Sequence, residues 1–205
     1  MIERLQIIGG VLRRPVSAYN ELKYRRYTDR WLVLVILGLW FLIRILKRQF
    51  YGFRFNTQDP NDFSLLIQLA TTVLPFLLFM IANWAVCALM DGEGRFGEIT
   101  TFMSIALVPY LIFQLVAIGL SNVMVLSEGV FLTSFVGVGI LWSLLLFFQG
   151  QRIVHNYSSG KTLGAILLSV CGVAIILVVL LLLFSLAQQV IYFVETVYSE
   201  IMFRK

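Results

Sequence analysis

The chain has 205 residues, 60% of them hydrophobic and 13% charged, against about 25% charged in an ordinary soluble domain. A soluble protein of this size has no means of covering so much apolar surface, so lipid must solvate it. The formal net charge is +5, and seven of the sixteen basic residues (Arg4, Arg13, Arg14, Lys23, Arg25, Arg26 and Arg30) fall in the first thirty positions; beside a membrane this points to anionic lipid and to orientation rather than to nucleic acid.

Residues 1–30 read as a basic amphipathic interfacial head. Ile2, Leu5, Ile8 and Leu12 recur at near-helical spacing, as expected of a helix lying on a membrane surface. Pro15 can open a second short helix, Val16–Leu22, and Tyr19, Tyr24, Tyr27 and Trp31 suit the headgroup level. The opening Met-Ile-Glu-Arg lacks the order of a cleaved signal peptide, so the first span is expected to do the targeting.

Five apolar segments follow, at about 31–46, 63–90, 101–126, 131–149 and 163–190, each set against the ~20 residues that a bilayer core requires. Uninterrupted apolar runs are not the alternation of a lipid-facing barrel. The predicted fold is therefore all-α, a polytopic membrane helix bundle with five transmembrane helices across 31–190. In the first segment Arg44 must snorkel to the interface. The second would need tilt, or a kink at Pro75, to fit the bilayer, and Pro109 interrupts the third. Beyond Gln188-Gln189, residues 191–205 read as an amphipathic tail.

The distribution of basic residues gives the orientation. With five spans and the head inside, ten basic residues lie inside and six outside; if the first segment does not cross, thirteen lie inside and three outside. The four-span count obeys the rule better, but Trp31–Ile43 holds no polar side chain suited to lying flat, which favours five.

Between the second and third segments, Asp91-Gly-Glu-Gly-Arg-Phe-Gly-Glu98 has three glycines in eight residues, suited to a tight reversal. Its acids Asp91, Glu93 and Glu98 fail the calcium-loop spacing, and Glu98 favours the start of a helix. Ser159-Gly-Lys-Thr162 resembles the end of a phosphate-binding loop, but His155 stands where that pattern needs a glycine. His155 reads as a solvated interfacial residue, and Lys161 as a headgroup-level cation. Within the spans, Gln68, Asn83 and Gln114 are expected to bond to other helices, with a polar conduit as the alternative. Gly137 and Gly139, with Ala165 and Ser169 on the fifth span, would allow close helix approach. Cys87 and Cys171 read as small buried hydrophobes. No Ser–His–Asp set, HExxH or CxxC occurs, so neither catalytic residues nor a metal or cofactor is expected.

Three stretches carry a family resemblance. Arg14-Pro-Val-Ser-Ala-Tyr19 is similar to the proline-aromatic lead-in of the Yip (Ypt-interacting protein) family. Asn83, the loop Asp91–Glu98 with Arg95 and Phe96, and Ala106-Leu-Val-Pro109-Tyr110 together resemble that family's most distinctive block. His155-Asn-Tyr157-Ser-Ser-Gly-Lys161-Thr162 resembles the loop before its last span. The resemblance implies a five-span membrane domain with a cytoplasmic N-terminus. Eukaryotic relatives bind Rab-type GTPases partly through a longer head; this short basic head looks more like the bacterial members, so Rab binding is not carried over.

The expected function is that of a non-enzymatic, multi-pass plasma-membrane protein. It would act as a scaffold or accessory factor for membrane organisation or a transport complex, through the two loops 91–98 and 151–162 on the cytoplasmic face, with the C-terminus outside. Its expected partners are the bilayer, including anionic lipid, and other membrane proteins or a second copy. The alternative is a transporter or permease subunit for a small solute, with Asn83, Pro109, Gln68 and Gln114 along the conduit.

Overall fold

In the computed structural model, residues 2–56 and 63–203 are described, and they hold eight α-helices and no strand. Arg204 and Lys205, counted above among the basic residues, lie outside the described residues. The head forms α1 (Ile2–Arg13) and α2 (Pro15–Tyr24), followed by α3 (Arg30–Phe50) and α4 (Leu65–Leu89). Then come α5 (Phe96–Ala106), α6 (Val108–Ser121), a 3-10 turn at Leu126–Glu128, α7 (Gly129–His155) and α8 (Ser159–Phe203).

Local chemistry sets these boundaries. Pro15 opens α2, where a missing N–H costs nothing. Asp29 caps α3 by accepting from the Leu32 N–H at 3.0 Å. The same carboxylate pairs with the Arg4 guanidinium and accepts from the Tyr27 hydroxyl at 3.0 Å, tying α1 to the start of α3. The interruption expected at Pro109 is present: Pro109 has no N–H to offer, and the Leu107 N–H turns to the Ser104 carbonyl at 3.1 Å, separating α5 from α6. Just past the break, the Tyr110 N–H donates to Ser143 Oγ of α7 at 3.0 Å. A helix broken within a membrane needs such a partner.

Part of the head's apolar surface is turned into the protein, while Leu5 and Val16 stay exposed. Val11 and Tyr19 are fully buried and Leu22 nearly so. The Tyr19 ring meets Phe102 of α5 edge-on at 6.4 Å, and α2 packs along α7. Tyr19 is thus packed inside the protein, where Phe102 and Val154 give its ring an apolar seat.

Among the described residues four segments, not five, are long and apolar enough to cross a membrane: Leu65–Leu89, Phe96–Ser121, Leu126–His155 and Ser159–Phe203. The first expected span, now α3, is not among them, because Arg44, Lys47 and Arg48 crowd its C-terminal turns. Its placement is nonetheless definite. At its start, the Asp29 N–H reaches Thr101 Oγ1 of α5 at 3.4 Å. At its end, the Gly52 N–H donates to Ser121 Oγ at 2.9 Å, and Asn122 Nδ2 donates to the Phe50 carbonyl at 2.9 Å. Helix α3 therefore runs alongside α5 and α6 from end to end.

Helix α8 packs on α4 through Ala165, Ser169 and Gly172, then runs through position 190 without a break. Its 45 residues make roughly 67 Å of helix at ~1.5 Å per residue, about twice a bilayer core. From 177 to 198 every residue is exposed.

Candidate functional site

The two loops singled out in the sequence meet at the head end of the bundle. Helix α4 ends with Asp91 in the left-handed region (φ 56°), and the Gly92 N–H returns to the Cys87 carbonyl at 2.8 Å. A Cβ at Gly92 would stand 2.4 Å from His155 Nδ1, and one at Gly94 would stand 2.7 Å from Val154 Cγ1. Only glycine lets this loop lie flat against the end of α7. That helix extends through His155, farther than the expected end at 149, and stops at Asn156, also left-handed (φ 56°).

Tyr157 then folds back. Its hydroxyl reaches the Cys87 and Met90 carbonyls at 3.1 and 3.2 Å, its ring stacks on His155 at 5.3 Å, and the Lys161 ammonium sits 4.6 Å from the ring centre. Burial, followed by the influence of Cys87 and Asp91, pushes the Tyr157 phenol above its ordinary pKa, so it stays protonated and donating. Glu93 accepts from Lys23 Nζ of the head at 2.8 Å and from Asn156 Nδ2 at 3.2 Å, and these bonds hold its carboxyl below the usual range. One carboxylate thus links the head, the α4–α5 loop and the α7–α8 turn.

Beneath this surface lies a buried polar seam joining α4, α7 and α8. Asn83 Nδ2 donates to Ser169 Oγ at 3.1 Å, and Gln151 Nε2 donates to Cys87 Sγ at 2.9 Å. Gln151 Oε1 and both ring nitrogens of His155 are buried without a partner. His155 is only 1% exposed, against the solvated position expected for it, because Gly92, Gly94 and Tyr157 close over its ring. No set of three metal-ligating side chains occurs among the described residues. The seam's pairings bridge helices.

Of the candidate residues, Asp91, Glu93, His155, Tyr157 and Lys161 come together with Asn83 below them. Arg95, Phe96 and Glu98 start α5 instead: Glu98 accepts from the Arg95 N–H at 3.1 Å, and Phe96 meets Trp84 edge-on at 5.7 Å. Gln68 and Gln114 lie at the opposite end of the bundle, and Pro109 marks the α5–α6 break. Sequence reasoning missed the roles of Lys23, Cys87 and Gln151 here, whereas Ser169, expected at a close helix approach, is buried between α8 and α4. One signal was available, since Asn83 with Cys87 and Gln151 with His155 are each spaced i, i+4 on an apolar helix and so share a face.

The helices long enough to span and the polar seam between them define a polytopic α-helical membrane protein. The chain belongs to the Yip1 domain family, whose model matches residues 9–182. No curated protein and no solved structure matches it.

Proposed function

We propose that the chain is a non-enzymatic scaffold or accessory factor of the membrane, presenting the end built from the head, the α4–α5 loop and the α7–α8 turn to a protein partner. The observation that carries this reading is the Lys23–Glu93–Asn156 linkage, which gathers three distant segments into one surface while Asp91, Arg95, Ser158 and Lys161 remain exposed around it. The deep polar residues support it too, because Asn83 and Ser169 satisfy each other across helices rather than lining a path.

In this reading α3 is a fifth, charge-bearing crossing, with the head on the cytoplasmic side and the C-terminus opposite. Its support is geometric: α3 starts beside Thr101, in the second turn of α5, and ends beside Ser121 at the end of α6, so it runs along that span. Arg44 and Lys47 fall within about six residues, or ~9 Å, of the helix end and reach the headgroups. The basic head then faces anionic lipid.

Single cysteines at Arg54, Val123 and Ser158 test the topology. A membrane-impermeant thiol reagent should reach Arg54→Cys and Val123→Cys from one side and Ser158→Cys from the other. Labelling of Arg54→Cys from the Ser158 side sinks the fifth crossing. Photo-crosslinkers at Arg95 and Ser158 test the function, with one discrete protein adduct expected at both positions. The competing transporter reading draws on the broken helix at Leu107. Solute flux by the purified protein in liposomes, without an adduct, would put that reading first.

A further inference from the structure

Helix α8 outruns the bundle that supports it. Ser169 is buried against Asn83 of α4, Ile176 seven residues on is half-buried, and Leu183 after seven more is 58% exposed. The row continues at the same spacing through Val190 and Val197, both exposed. A second row, Leu180, Ala187, Val194 and Ile201, runs beside it, and all four are exposed. Together the rows from Leu180 onward fill the a and d positions of three successive heptads, every one of them apolar. The opposite face is polar over the same length, with Ser185, Gln188, Gln189, Glu195, Thr196 and Ser199.

A helix with one apolar face can lie on a bilayer or pack on other helices. Two features argue against the bilayer surface. Turning onto it needs a sharp bend, and bends arise at proline, at glycine or at a bulge in the helix. Residues 173–203 hold neither proline nor glycine and form unbroken α-helix. A surface helix also sets lysine and arginine on its polar side, whereas 180–201 carries Glu195 and Glu200 and no base; Arg204 and Lys205 come only after the last heptad. The uncovered area suits a protein interface. Phe184, Phe193 and Tyr198, which flank the rows and are each about two-thirds exposed, bring roughly 400 Å², at ~150–250 Å² per aromatic side chain. The two rows add roughly as much again, which meets the ~800 Å² per partner of a stable interface.

We infer that residues 180–201 are an oligomerisation element, packing in parallel and in register against the same residues of other copies of this chain. The partner is another copy because every copy enters the membrane in one orientation, which sets identical apolar rows at one height. Valine or isoleucine at both kinds of position, as at Val190, Val194, Val197 and Ile201, favours three or four strands over two. Residues 183–203 lie beyond the stretch matched to the family. The element is at the opposite end from the proposed partner surface, so it stands or falls apart from that reading.

The test is native mass spectrometry of the full chain in neutral detergent, with a mass of three or four copies expected. Val190→Glu with Val197→Glu should weaken association by about a hundredfold or more and leave monomers. Gln188→Glu with Ser199→Glu adds the same charge to the polar face and should change nothing. Oxidative cross-linking in liposomes, with Cys171→Ser as background, needs no disruptive substitution and keeps the test open should the first variant not fold. Val190→Cys should cross-link between copies at least about fivefold more than Glu195→Cys. A monomeric parent, or a mass indifferent to Val190→Glu with Val197→Glu, overturns the proposal. So does a spin label at Val190 that sits at lipid depth in liposomes while Val190→Cys fails to cross-link, which would put the segment on the bilayer surface.

Discussion

Gly52 and Ser121 are locked together at the end of the bundle away from the head. The Gly52 N–H donates to Ser121 Oγ at 2.9 Å, and a Cβ on Gly52 would lie 2.1 Å from the Ser121 carbonyl oxygen. No side chain fits there, so the exit of α3 is held level with the end of α6 by a contact available only to glycine. Gly52→Ala should therefore force the two backbones apart and cost about 1–3 kcal/mol, in the range of overpacked interiors. Thermal unfolding in detergent reads this out, and an unchanged midpoint would show that the exit of α3 is not held there.

Two glycines on α7 should respond in opposite directions. A Cβ at Gly139 would stand 2.5 Å from Phe113 Cβ, whereas one at Gly137 meets nothing within 4 Å. Gly139→Ala should destabilise by about 1–3 kcal/mol. Gly137→Ala should stabilise by about 0.5–1 kcal/mol, because alanine is the better helix former. Both are measured by the same unfolding assay, and equal effects would contradict the α6–α7 packing described above.

Asn83 and Ser169 should prove coupled. Their 3.1 Å hydrogen bond joins α4 to α8 in an apolar setting, where such pairs are worth about 0.6 kcal/mol on average and at most about 1.7. A double-mutant cycle with Asn83→Leu and Ser169→Ala isolates the pairwise part. Additive losses would mean that the two residues act separately.

Docking of the head should weaken in acid. Burial pulls the Asp29 carboxyl upward, but the hydrogen bonds from Leu32, Tyr27 and Arg4, with the charge of Arg4, outweigh it and lower its pKa. Glu93 is lowered chiefly by Lys23 and Asn156. A carboxylate with a depressed folded-state pKa contributes its stabilisation above the unfolded value and loses it as pH falls through the folded one. Docking should thus be complete at neutral pH and decline below about pH 4, where ordinary carboxylates begin to protonate. Hydrogen exchange of the α2 amides at pH 7 and pH 3 follows this directly. In Glu93→Gln with Asp29→Asn the acid-dependent step should shrink, and an unaltered step would assign it to other groups.

What the sequence made legible was whatever depends on neighbours in the chain. The Asp91–Glu98 reversal, the break at Pro109 and the second head helix opening at Pro15 all follow from residues acting within one turn. The placement of α3 did not, because Arg44, Lys47 and Arg48 argue against a crossing and only contacts 69 and 72 positions away, to Ser121 and Thr101, show where its ends lie. The burial of His155 and of Tyr19 was not legible for the same reason. A polar or amphipathic side chain next to a loop looks solvated until the segment that covers it is known. For His155 the cover is Gly92 and Gly94, and for Tyr19 the seat is Phe102.

The docking of the head also bears on the order of synthesis. Lys23 waits for Glu93, Tyr19 for Phe102, and α2 as a whole for α7, whose residues leave the ribosome more than a hundred positions later. Chains emerge from the N-terminus and fold as partners become available. Until α7 is inserted, the head has nothing to close upon, and its apolar side chains are left to lipid or to a chaperone. Closure of the head is therefore a late event in biogenesis, and it marks a bundle whose α5 and α7 have already reached their places.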